Sequence, residues 1–133
     1  MNLKIKILFL LFLLILITGC VGEIPCTTID EAAASITVER RMLPIVGLNA
    51  DKDSLNFGVV SPTASVKRSI NAQYSKRADV SVKAEGVFSD WVNIEPAEFS
   101  LDGNVQKVTF TVDVPSNAAE GIYTGRMKFC FRE

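Results

Sequence analysis

The 133 residues carry 14 basic and 15 acidic side chains; setting aside Lys4 and Lys6 with the leading segment leaves 12 against 15, a net charge near -3. That balance argues against nucleic acid as a partner, because phosphate binding needs a clustered excess of Lys and Arg. There is no histidine, which removes the commonest general base, the commonest metal ligand and every Ser/His or Cys/His nucleophile pair.

In chain order, the first element is Met1-Asn2-Leu3-Lys4-Ile5-Lys6 followed by an unbroken apolar run over residues 7–17. A charged start before a short apolar stretch is the layout of a secretory signal. A spanning helix needs about 20 apolar residues, so a permanent anchor over residues 5–21, with the lysines reaching the headgroups, stands as the alternative. The run ends in Ile17-Thr18-Gly19-Cys20, which resembles the lipobox of prokaryotic lipoproteins. The resemblance implies removal of residues 1–19 and a lipid on the Cys20 sulfur, hence an extracytoplasmic, lipid-anchored protein. Small side chains at Thr18 and Gly19 suit an extended backbone in a peptidase cleft, and the thiol is the nucleophile there.

Exported proteins tend to have their thiols paired or modified. With Cys20 lipidated, Cys26 and Cys130 are the candidates for a disulfide that closes a loop of more than 100 residues. Two free thiols are the alternative, because spacing does not say whether the Cα atoms approach. No C-x-x-C is present to favour a redox-active pair.

Residues 20–34 read as a tether, within which Thr28-Ile29-Asp30-Glu31 has the spacing of a helix cap. From Ser35 to residue 133 the pattern is of short strands separated by turn residues. Ile36 and Val38 alternate with polar neighbours, and residues 43–48 are apolar but hold Pro44, which suits an edge strand. Leu55-Asn56-Phe57-Gly58 precedes the Ser61-Pro62 turn; Val66, Ile70 and Ala72 mark one further strand, and Val80, Val82 and Ala84 another. Trp91-Val92-Asn93-Ile94 and Phe99-Ser100-Leu101 flank Glu95-Pro96, and Asp102-Gly103-Asn104 is a turn signal. Residues 107–114 form the clearest strand, with Val108, Phe110, Val112 and Val114 on one face. The last strand, residues 122–132, places Tyr123, Met127, Phe129 and Phe131 inward and Arg126, Lys128, Cys130 and Arg132 outward. Seven to eight short strands with one apolar face each predict an all-β sandwich.

Leu55-Asn56-Phe57-Gly58-Val59-Val60, Val66-Lys67-Arg68-Ser69-Ile70, Val108-Thr109-Phe110-Thr111-Val112-Asp113-Val114-Pro115 and Gly121-Ile122-Tyr123-Thr124-Gly125 resemble strands of immunoglobulin-like domains of the ASH and major-sperm-protein-like type. Related repeats occur on archaeal and bacterial surface proteins. The resemblance spans residues 48–131, with Gln73-Tyr74 standing where the group usually has Asn. It implies an immunoglobulin-like sandwich used as a spacer, adhesion module or scaffold, without catalytic residues, metal or cofactor.

Few residues invite a more specific chemistry. Trp91, the single tryptophan, is a candidate ligand contact, since alternation sets it opposite Val92 and Ile94 and an indole stacks on sugar rings. Asp51-Lys52-Asp53-Ser54 lacks the length and Gly of a calcium loop and reads as a solvated turn. Arg40-Arg41, Lys67-Arg68 and Lys76-Arg77 are basic pairs that would meet anionic headgroups or an acidic partner only if gathered on one face. Glu95 and Glu98 are a carboxylate pair without a supporting glycosidase motif. The expected protein is therefore not an enzyme and has an unidentified protein partner.

Overall fold

The computed structural model describes residue 22 and residues 24–40 and 54–133. The leading signal or anchor segment, the lipobox with Cys20, the Pro44 strand and Asp51 to Asp53 lie outside the described residues. Eight strands are present among those described: β1 (Thr28–Val38), β2 (Ser54–Val60), β3 (Ser65–Gln73), β4 (Arg77–Gly86), β5 (Val92–Glu95), β6 (Glu98–Asp102), β7 (Val105–Asp113) and β8 (Gly121–Arg132). A single 3₁₀ turn, Ser89–Trp91, sits between β4 and β5. The fold is all-β and is built from two sheets, as the alternating pattern predicts. One sheet has five strands in the order β2-β1-β8-β4-β6, and the other has three in the order β3-β7-β5.

The pairing differs from the sequence reading at one end. Residues 28–34, read as part of a tether with a helix cap, form the first seven residues of β1, which pairs antiparallel with β8 from Thr28↔Phe131 to Val38↔Gly121. Three consecutive alanines and a cap-like spacing favour a helix locally, but a continuous ladder to the last strand outweighs that weak propensity. On its other edge β1 pairs in parallel with β2 from Ala33↔Ser54 to Val38↔Val60.

The inner faces of the two sheets supply the core. Ile36 and Val38 of β1, Leu55 and Phe57 of β2, Val80 and Val82 of β4, and Met127, Phe129 and Phe131 of β8 are buried. Val108, Phe110 and Val112 of β7 face them from the smaller sheet and are fully buried. The rings of Phe110 and Phe129 meet edge to face at 6.3 Å across the layer, a geometry that adds to simple area burial.

At one end of the sandwich, β4 and β8 come unusually close. Gly86 pairs with Gly125, and a Cβ on Gly125 would lie 2.6 Å from the Glu85 carbonyl oxygen and 3.3 Å from the Phe88 ring. The missing side chain makes room for Phe88, which is buried and meets Phe57 edge to face at 6.2 Å. Beside it, the Tyr123 hydroxyl donates to the Ala119 carbonyl at 2.8 Å, fastening the loop before β8 to the start of that strand.

Candidate functional site

The outward side chains of β8 are Arg126, Lys128, Cys130 and Arg132, and the register sets Glu85, Lys83, Ser81 and Asp79 of β4 opposite them in turn. On the other flank β1 contributes Ala33, Glu31 and Ile29. Period-two alternation puts all of these on the outer face of the five-stranded sheet.

Cys130 is held there by a disulfide to Cys26, with the Cα atoms 5.3 Å apart. The sequence placed Cys130 on the outward, charged face, and that is its face; it is nevertheless only 6% exposed, because residues 24–26 lie over it. The Arg132 side chain fixes this overlay. Its Nε donates to the Ile24 carbonyl at 3.0 Å, and its Nη1 donates to Ser81 Oγ at 3.3 Å. Next to it the Thr27 N–H donates to the Phe131 carbonyl at 2.7 Å, and the Glu133 N–H to Thr27 Oγ1 at 3.1 Å.

The charges on this face are partly mutually satisfied. Arg126 donates to Glu85 at 2.9 Å and lies 3.5 Å from Glu31, while Lys128 stands 3.6 Å from Glu85. The hydrogen bond from Arg126, helped by the charge of Lys128, holds the Glu85 carboxyl below the usual carboxylate range. A second small cluster lies at the end of the same strand. The Tyr74 hydroxyl donates to Glu133, and Lys76 forms an ion pair with it at 3.0 Å. These two donors lower the Glu133 carboxyl, and Glu133 in turn raises the Lys76 ammonium.

Between residues 24–26 and the strands is an open cavity of about 260 Å³, bordered by Ile24, Ser81, Lys83, Glu85, Lys128 and Arg132. A second depression of about 280 Å³ lies where the sheets part between β1 and β3, with Asp30 at its edge and Phe129 and Phe131 beneath. Among the described residues no group of three or more His, Cys, Asp or Glu is placed to hold a metal ion.

The remaining sequence candidates are dispersed. Trp91 ends the 3₁₀ turn and is half-buried, its ring 4.8 Å from Tyr123 and 6.4 Å from Phe88. Glu95 and Glu98 belong to strands of different sheets. Of the basic pairs, Arg41 lies outside the described residues and the other two do not converge: Lys67 is on the outer face of the smaller sheet, Arg68 turns back to the Asn56 carbonyl at 3.3 Å, and Lys76 is bound to Glu133. The cluster of Glu31, Glu85, Arg126 and Lys128 was not found from the sequence, since its members come from three strands and meet only through register.

Comparison of the chain with known protein families, with curated proteins and with solved structures found no match in any of the three.

Proposed function

We propose that this chain is a non-catalytic lipoprotein of the extracytoplasmic membrane face, anchored by a lipid on Cys20 and presenting an immunoglobulin-like sandwich for protein interaction or envelope structure. The observation that carries the reading is the order of parts in residues 1–20: two lysines, a short apolar run, then Ile17-Thr18-Gly19-Cys20. The Cys26–Cys130 disulfide supports it, because such bonds persist in oxidising compartments. The Tyr123 hydroxyl bonded to backbone four residues upstream supports the immunoglobulin-like assignment, for a tyrosine bonded in this way at a strand start recurs in that architecture. Two packed sheets with scattered carboxylates and no histidine suit a surface for recognition better than a reaction centre.

Intact mass spectrometry of protein purified from membranes tests the anchor. The expected species begins at Cys20 and carries added acyl mass; an unmodified chain that still begins at Met1 would sink it. The second reading, an uncleaved helix over residues 5–21, is favoured by the apolar character of that stretch. It predicts that a Cys20→Ser variant keeps its full membrane association.

A further inference from the structure

Two features of the five-stranded sheet's outer face are not required by the fold. Lys83 and Lys128 are direct cross-strand neighbours, a like-charge pairing that weakens a ladder. Lys83 has no ion-pair partner among the described residues, and Lys128 reaches only Glu85, which Arg126 holds more closely. Alongside them two branched apolar side chains are open to solvent: Ile24 is 71% exposed, and Ile29, the neighbour of Cys130, is 51% exposed. Arg132 is the third cation on the cavity beside the disulfide, which Glu85, held by Arg126, also lines. Acidic side chains share the face: Arg126 engages Glu31 and Glu85, Asp79 accepts from Ser100 and stands opposite Arg132, and Glu98 and Asp102 of β6 stand opposite Ser81 and Arg77.

The path of the chain selects what meets this surface. The disulfide and the bond from Arg132 to the Ile24 carbonyl hold residues 24–26 against the outer face. Four residue steps separate Ile24 from Cys20, a reach of at most about 14 Å. A lipid on Cys20 fixes that residue at the boundary between acyl chains and headgroups, under a polar layer about 5–8 Å thick in each leaflet. That reach is short enough for the outer face to meet the level of the headgroup phosphates. The smaller sheet stands away from them by roughly a further 10 Å, the spacing of packed sheets.

We propose that this face, centred on Lys83, Lys128 and Arg132 with Ile24 and Ile29 beside them, rests on the membrane and binds the phosphates of anionic lipid headgroups. The proposal rests on the lipid anchor at Cys20. It makes the sandwich lie flat, with the outer face of the three-stranded sheet turned to partners.

Lysine acylation by a water-soluble reagent tests it on the full chain reconstituted in phosphatidylglycerol vesicles, with the same chain in detergent as reference. Lys67 and Lys107, on the outer face of the smaller sheet, serve as internal controls. Lys83 and Lys128 should each react about fivefold more slowly in the vesicles, as expected for a basic side chain engaged at an anionic surface. Lys67 and Lys107 should keep their detergent rates. Equal rates on both faces, in a sample whose intact mass shows the lipid on Cys20, overturn the face assignment and leave the anchor standing. Absence of that lipid overturns the anchor and this proposal with it. A third arm adds inorganic phosphate to the detergent sample: slowing there equal to that in vesicles would assign the site to a free anion and overturn the membrane as its occupant.

Discussion

The two ends of β8 are held by different physics. At its first end Gly125 admits the backbone of β4, Phe88 fills the space so made, and Tyr123 is bonded to Ala119 and packed on Trp91. At its last end Cys130 is covalently joined to Cys26, Arg132 grips the Ile24 carbonyl, and Glu133 is bound by Tyr74 and Lys76. The first end depends mainly on shape and burial, which respond little to redox state, while the exposed Glu85 carboxyl beside it, paired with Arg126, titrates. The last end depends on a bond that reductant cleaves and on groups that titrate. Redox sensitivity is thus concentrated where the chain leaves the sandwich for its leading segment.

Removing the disulfide should cause the largest change. Cys26 and Cys130 are 104 residues apart, and closing a loop of that size restricts the unfolded chain by about 4–5 kcal/mol in the chain-entropy treatment. A Cys26→Ser/Cys130→Ser variant should lose about that much in urea unfolding, and reductant should lower the midpoint of the wild type but not of the variant. Because β1 remains paired with β8 up to Thr28, the variant should keep its far-ultraviolet circular dichroism. Phe88→Ala probes the opposite end. It should cost about 3 kcal/mol by opening a cavity against Phe57, with the wild type's response to reductant retained. A Phe88→Ala variant in which reductant no longer shifts the midpoint would show the two ends to be one cooperative device.

Tyr123→Phe is a smaller change at the packed end. It deletes the hydroxyl that donates to Ala119 while keeping the ring against Trp91. A loss of about 1 kcal/mol is expected, the usual net worth of such a bond. The Trp91 emission spectrum should stay unchanged; a red shift would mean that the hydroxyl, and not the ring, sets the packing of this corner.

The same contrast governs what could be read in the sequence. The packed layers were legible because alternation is a local signal: Val108, Phe110 and Val112 face inward, as do Met127, Phe129 and Phe131. The outward position of Cys130 followed from that register. Its burial did not, since its cover comes from residues 24–26 at the other end of the chain. Residues 28–34 misled for a related reason, as their helix-like composition is outweighed by a partner strand that begins at residue 121 and meets them only through the fold. The parallel pairing of β1 with β2 was also beyond reach, because parallel neighbours are joined by a crossover and not by a hairpin turn with a sequence signal. The ion cluster on the outer face could not be assembled before the order β1-β8-β4 was known.

The smallest effect expected is that of pH, and it is divided between Glu133 at the last end and Glu85 beside the Gly86–Gly125 crossing. Glu85 and Glu133 are both lowered below the usual carboxylate range, the first mainly by Arg126 and the second mainly by Tyr74 and then Lys76. A carboxyl lowered on folding contributes stability that is fully present above its unfolded pKa of about 4.3 and is lost as pH falls through the folded value. Unfolding midpoints should therefore be level from neutral pH down to about 5 and decline below it, the region in which those two carboxyls take up protons. Both groups are open to solvent, so added salt should shrink the decline. Glu85→Gln and Glu133→Gln should each remove part of it, whereas Phe88→Ala should displace the whole curve downward without altering its slope. A slope untouched by both Glu85→Gln and Glu133→Gln would show that neither carboxyl carries the acid decline.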